Sequence, residues 1–593
     1  MVKKITILCI VLILTYSCKQ ESKKVEDSNI SADFATVLDY YYEDGLKLNP
    51  INATMAGDHR YNNQFVNLLS DDYVSKIKSH YEKYKGELDA FSDEDLSDSE
   101  QMTKAILTWE CNMHLAELKF NANLTPIDQM WSPNLFMGQL ASGSSAQPFN
   151  TVEDYQKWMK RVDGYVEWMN SAEERMREGM EKGHVLPKSL IVKVLPQLQS
   201  LTDRDLEKHL FYQPIKSFPN DFTDEEKSAL EEAYKDMIIQ KIVPAYERLY
   251  TFMSKEYMEA GRESSGIQGE PDGDAYYAHQ IKKYTTTNMT AAEIHELGLN
   301  EVARIRSEME KIKMQVGFEG DLKAFFDYVR SNKELMPFAE PQQVIENFNA
   351  IYERMKPQIE KLFDVKPKTP FEVRRTESFR EKSASAEYNP GSLDGTRPGI
   401  FYVPIPDVAT YNTYSDESLF LHEAIPGHHY QISLTQENDD LPKFRKTLWY
   451  SGYGEGWALY SESLGEELGL YTDPYQLFGM LGAEMHRAVR LVVDTGLHSK
   501  GWTREEAIQY SLDNEAESEA SIISEIERYM ANPGQALSYK IGQLKIRELR
   551  KKAENTLGDN FDVRQFHNQV LETGCIPLAL LEDKINNWIK AKS

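Results

Sequence analysis

Four cysteines in 593 residues leave little scope for covalent bracing. Cys9 and Cys18 fall at the extreme N-terminus, so only Cys111 and Cys575 could cross-link the body. They form either one disulfide or two buried free thiols, and a disulfide scaffold is excluded. Basic charge is also short: 67 Lys and Arg stand against 94 Asp and Glu, a net charge of -27. A polyanion of this kind is repelled by nucleic acid and by anionic membrane surfaces, so neither is expected as a partner. Long apolar runs are missing too. The only one, Ile5 to Leu14, is half the roughly 20 residues that a spanning helix needs. Strand signals are equally sparse, which leaves a mainly α fold as the expectation.

The N-terminus carries a layout of its own. Lys3 and Lys4 precede the apolar run, and Ser17-Cys18 closes it. That is the pattern of a secretory signal over residues 1–17, with Cys18 resembling the lipidated first residue of a bacterial lipoprotein. Residues 18–31, polar and charged, read as a tether between a lipid anchor and a folded body. The expected location is therefore exported and held to a bacterial membrane by the anchor.

From about Ala32 to Glu263 apolar residues recur every three or four positions, the helical period. The stretch from Thr151 ends on Gly183 as a long helix should. A loop is expected at 264–274, where glycines, Pro271 and an Asp-Gly pair cluster, and Thr290 with Glu293 forms a capping box for the helix that follows. Residues 32–593 are expected to form one large helical domain, or two lobes divided near that loop. The few strand signals, FEVRR from Phe371, SAEYN from Ser385 and GIFYV from Gly399, sit together and predict a small sheet.

Directly after this sheet comes LHEAIPGHHY, residues 421–430. Two histidines four residues apart on a helix can share a zinc ion, with the glutamate after the first acting on a water. Here the place of the second histidine is taken by Pro426. Proline cannot donate to the carbonyl of His422 and its ring clashes there, so a kink or bulge is predicted. In an unbroken helix His428 would lie about 240° around from His422, and His429 about 10.5 Å along the axis, a long reach for two imidazoles on one metal. A two-residue bulge at Pro426-Gly427 would bring His428 into register; His428 is the expected second ligand and His429 the rival. A catalytic zinc takes a third protein ligand. Glu455, 27 residues beyond His428 in GYGEGWALY, is the candidate, with Gly454 and Gly456 leaving room for close packing. Glu462, seven residues on, shares its face and could hold a histidine from outside.

HEAIPGHH followed by EGWALY resembles domain-of-unknown-function family 885, bacterial and often lipoprotein sequences grouped with zinc peptidases that use two histidines and a glutamate. The likeness includes the RPGIFYVP run before the motif and GWT after it. GEGWALY is similar to the stretch that supplies the third zinc ligand in large aminopeptidases. Gly427-His428 resembles the end of the zinc motif in helical peptidases akin to angiotensin-converting enzyme, and dipeptidyl peptidase III is a precedent for an expanded motif. The resemblance implies a helical zinc peptidase acting on short peptides. In it His422, His428 and Glu455 hold zinc and Glu423 is the general base. It also implies that Tyr539 assists the oxyanion, and that GIFYV is the edge strand on which substrate lies.

Arg487, Arg490, Asp494 and His498 are spaced 3, 4 and 4, so one helix would align them in a stripe. Such a stripe is either a buried charge network or one wall of a polar cleft. On the second reading His498 is a candidate oxyanion donor, and Arg487 or Arg490 could clamp a substrate carboxylate. Two other functions stay open: a zinc amidase acting on a non-peptide amide, and a non-catalytic lipoprotein that binds peptides or a partner.

Overall fold

The computed structural model describes residues 30–377, 381, 384–393 and 397–593. Cys18, the expected signal and nearly all of the tether lie outside them; residues 30 and 31 belong to a helix that spans 30–48. Cys111 and Cys575 are both buried free thiols. No helix among the described residues is long and apolar enough to cross a membrane.

The chain divides into two compact units, and not at the loop the sequence suggested. Among the described residues, the smaller takes in those up to Lys119, Ala146–Trp168 and Pro442–Arg445; the larger takes in those of Phe120–Ser145, Met169–Leu441 and Lys446–Ser593. The loop at 264–274 lies inside the larger unit. In the smaller unit, helices Asp71–Leu88 and Asp98–Glu117 pack together. Its buried Arg161 is met entirely by neutral oxygens, those of Gln64, Tyr61, Gln147 and Thr54, at 2.8 to 3.0 Å.

The larger unit is organised on two helix pairs. Helix α1 (Ala291–Gln315) opens on the predicted Thr290–Glu293 capping box and buries Ile294, Val302, Ile305, Met309 and Ile312 along one face. That stripe packs on the longest helix of the site, α5 (Pro474–Ser499), through Met485, Ala488, Val489 and Val492. The second pair is α4 (Ser451–Glu462) against α7 (Ser538–Leu557), and here the helices meet glycine to glycine. A Cβ on Gly456 would stand 2.5 Å from the Gly542 Cα, so neither position accepts a side chain at this separation. The two pairs are joined by a buried cation: Lys540 Nζ of α7 reaches Glu484 of α5 at 2.7 Å and Glu301 of α1 at 2.9 Å.

The sheet has three strands, β1 (Phe371–Arg375), β2 (Glu387–Asn389) and β3 (Gly399–Val403), in the order β1-β3-β2. β1 runs parallel to β3 and β2 antiparallel to it. GIFYV is therefore the central strand, not the edge strand expected from the family resemblance. Its main-chain groups are shared with neighbours on both sides, which removes it as a shelf for substrate.

Candidate metal centre

The sequence HEAIPGHH does not make one bulged helix. It makes two helices and a connector. Helix α2 (Asp416–Glu423) ends at the glutamate, Ala424 turns out of helical geometry at φ -106° and ψ -102°, and α3 (His428–Glu437) begins afresh. The physical reason is the one foreseen for Pro426, the missing N–H and the ring, carried further than a bulge. Gly427 completes the connector by passing over the end of α2, where a Cβ would collide with the His422 carbonyl oxygen. The Trp457 indole of α4 donates to the Pro426 carbonyl at 2.8 Å and ties the connector down.

The break reorients the histidines. His422, at the last turn of α2, and His428, at the first of α3, face each other with ring centroids 4.8 Å apart and planes perpendicular. Glu455, in the second turn of α4, completes the group: its Oε2 lies 3.7 Å from His422 Nε2 and 3.4 Å from His428 Nε2. One ligand atom from each residue falls within 4.8 Å of the others. Two ligands at about 2.0–2.1 Å from one tetrahedral ion stand ~3.4 Å apart, so the donor set and its spacing fit a zinc-sized cation. His429 points elsewhere, its Nδ1 2.9 Å from the Tyr388 hydroxyl and its ring against Phe371. Of the rival second ligands, the structure brings His428 to the group and not His429.

Around the group, α2 and α4 hold each other. Glu462 accepts from the Ser418 hydroxyl at 2.7 Å with one oxygen and meets His422 Nδ1 at 2.7 Å with the other. Burial alone would lower the His422 pKa, but the carboxylates of Glu455 and Glu462 outweigh it and lift the ring to about 9. Burial likewise works to raise Glu455, and His428 and His422 overcome it, holding that carboxyl well below the usual range. Glu423 is only 9% exposed and its pKa is raised by burial, against the opposing influence of His422, His428 and Arg487. An exposed indole, Trp449, stands beside His428 at 5.8 Å between centroids.

The polar stripe of α5 resolves differently along its length. Arg490 is spoken for by His486 and by Glu525 and Tyr529 of α6 (Glu519–Ala531), and its guanidinium lies 4.6 Å over the Tyr539 ring. Asp494 accepts from the Tyr277 hydroxyl at 2.5 Å and the Gly534 N–H. His498 is fully buried, accepting from the Ile267 N–H at one nitrogen and donating to the Tyr529 carbonyl from the other. With both nitrogens committed to backbone, His498 has no proton to offer an oxyanion, and that assignment is withdrawn. Arg490 is likewise part of the network rather than a free clamp. Only Arg487 remains on a cavity, one that it lines with His422 and Glu462. Tyr539 lies in the electrostatic field of Glu455, at the start of α7.

Sequence reasoning passed over Ser418, His486 and Trp449. Ser418 had a signal, because it stands four residues before His422 on the same helix and so shares its face. His486 and Trp449 had none, since their places depend on packing between distant segments.

Among solved structures, the chain is similar to a candidate lipoprotein of Colwellia psychrerythraea, with a TM-score of 0.86 and 27% identity over 96% of this chain and 100% of the other. It also shares the fold of a candidate lipoprotein of unknown function from Shewanella oneidensis, at a TM-score of 0.75 and 19% identity over 93% and 99% of the two chains. No curated protein matched it. The family profile described as bacterial protein of unknown function, DUF885, matches residues 50–585, and the chain belongs to that family.

Proposed function

We propose that the protein is a zinc-dependent hydrolase, a metallopeptidase that acts on short peptides. One observation carries this reading: two imidazoles and a carboxylate from three separate helices converge within 4.8 Å, next to a buried glutamate. His422, His428 and Glu455 would hold the metal. A zinc ion there supplies Lewis acidity that makes a water nucleophilic near neutral pH and polarises a carbonyl. Glu423 follows His422 at the end of α2 and is the proton carrier, taking a proton from the attacking water and delivering it to the leaving amine. Glu462 keeps the His422 ring in one orientation through Nδ1, so that Nε2 faces inward. Tyr539, on which Glu455 acts electrostatically, is the hydroxyl we assign to the oxyanion. The chain's likeness to candidate lipoproteins agrees with the Ser17-Cys18 reading, and supports export and attachment by a lipid on Cys18.

The test joins metal analysis to turnover. Purified protein is expected to hold one equivalent of zinc and to cleave members of a short-peptide library. Glu423→Gln should keep the metal and lose cleavage by a factor of roughly 10² or more. Folded protein that takes up zinc but hydrolyses neither peptides nor other amides points to the binding role and removes the enzyme. Cleavage confined to non-peptide amides keeps the chemistry and replaces the substrate.

A further inference from the structure

Arg487 stands apart from the other arginines packed around α5. Arg490 and Arg528 share Glu525 at 3.0 and 2.9 Å, Arg504 pairs with Glu527 at 2.9 Å, and Arg304 with Glu484 at 2.8 Å. Arg161 of the smaller unit has no carboxylate but is saturated by neutral oxygens, as described above. Arg487 has neither arrangement. Among the described residues it makes no ion pair, its one hydrogen bond is a 3.3 Å contact from Nη1 to the Ala483 carbonyl one turn back, and its Nε is buried with no acceptor. A buried donor on a charged group left without an acceptor is costly. Arg490 Nη1 is also without one, but the other nitrogens of Arg490 meet Tyr529 and Glu525, whereas Arg487 meets no side-chain oxygen among the described residues.

Its position says which ligand. Arg487 lines a cavity of about 150 Å³ together with His422, Glu462, His486 and Glu515. His422 is a candidate ligand and Glu462 holds its Nδ1, so the cavity adjoins the metal group through the His422 ring. Two of the three acidic groups that line it are already engaged: Glu462 by Ser418 and His422, Glu515 by His486. Glu517 completes the acidic lining of that wall, and Glu423 interacts with Arg487 through space without pairing. That leaves a guanidinium, a planar fork matched to a carboxylate, with open donors at the edge of the site.

We infer that Arg487 is the receptor for a carboxylate of the substrate, adjacent to the bond that is cut. This rests on the hydrolase reading and narrows it to short peptides bearing a carboxylate near the scissile bond, supplied by a free C-terminus or by an acidic side chain. Arg487 acts as a specificity residue, binding the anion and fixing how far the peptide enters.

The test compares kcat/KM on zinc-loaded protein for matched short peptides that end in a free acid or an amide, and for amidated pairs that differ as Glu or Gln beside the cut. Wild type is expected to prefer one carboxylate-bearing member by roughly tenfold or more, mostly through KM. The acid-amide pair winning identifies the C-terminus as the source, and the Glu-Gln pair winning identifies the side chain. In Arg487→Met the preference should collapse toward unity, and Arg487→Lys should restore part of it. Wild type that treats both pairs alike overturns the receptor while leaving the hydrolase reading intact. Equal losses for the charged and neutral members in Arg487→Met do the same. If no peptide is cleaved, calorimetry of wild type and Arg487→Met with N-acetylalanine and its amide decides the matter without turnover. Binding of the acid alone, lost in the variant, upholds the receptor; equal or absent binding overturns it. Should Arg487→Met fail to fold, the wild-type ratios stand as the deciding result.

Discussion

The indole N–H of Trp457 donates to the carbonyl of Pro426 at 2.8 Å. Two residues that are 31 positions apart thereby join the helix that carries Glu455 to the connector that separates His422 from His428. The spacing of the three candidate ligands depends on that link. Trp457→Phe keeps most of the buried ring and deletes the donor. Metal affinity is expected to fall by about 10- to 100-fold, as for loss of other groups that orient ligands, while the fold persists. A competition titration with a zinc chelator measures the first, and thermal melting the second.

Glu462→Gln probes the same principle at the other histidine. The amide preserves shape but presents an NH₂ group or a weaker acceptor to His422 Nδ1 and the Ser418 hydroxyl. Zinc affinity should drop by about 10- to 100-fold. Ser418→Ala removes one contact to the same carboxylate and should cost less. The ordering of the two variants in one chelator titration is the check.

Gly542→Ala places a methyl group where α4 and α7 touch. Overpacking of this kind costs roughly 1–3 kcal/mol, occasionally more, and the displaced element is the helix bearing Glu455. The variant should melt earlier and bind zinc more weakly. An alanine at exposed Gly86, which has open space around it, should do neither.

His567 gives a pH signature away from the site. Its Nδ1–H donates to the Leu362 carbonyl and its Nε2 accepts from the Tyr460 hydroxyl, both at 2.8 Å, so the neutral ring is the one that fits. Burial lowers its pKa to about 3, below the ordinary value of about 6.5. The unfolded chain therefore binds more protons between those values. The contribution is complete above pH 6.5 and is lost as pH falls toward 3, at up to about 1.4 kcal/mol per pH unit. Melting temperatures of wild type and His567→Gln measured across pH 7 to 4 should converge on acidification. A constant gap contradicts the assignment.

How much of this was legible in the sequence follows the range of each interaction. His422, His428 and Glu455 could be named because a proline at a helix position forces a departure whose local consequences are few, and because glycines beside Glu455 announce close packing. The size of the departure could not be read. Whether Pro426 bulges a helix or ends it depends on what holds the connector, and that is an indole from another helix. His498 was misplaced for a related reason. Its spacing does put it on the Arg487 stripe, but the stripe runs from a cavity into the core, and the backbone groups of Ile267 and Tyr529 that receive it lie 231 and 31 residues away. The central place of GIFYV was hidden because all three strands could be read locally but their order depends on pairing between them, which local signals do not carry. The helix α1 and its capping box at Thr290 were readable, being local period and local capping.

The central claim is that His422, His428 and Glu455 form one metal site that excludes His429. Zinc content by elemental analysis of wild type and single alanine variants at each of these four positions tests it most directly. The account predicts one equivalent in wild type and in His429→Ala, and loss in each of the other three folded variants. Zinc retained by His428→Ala but lost from His429→Ala, or no zinc taken up by folded wild type, contradicts it.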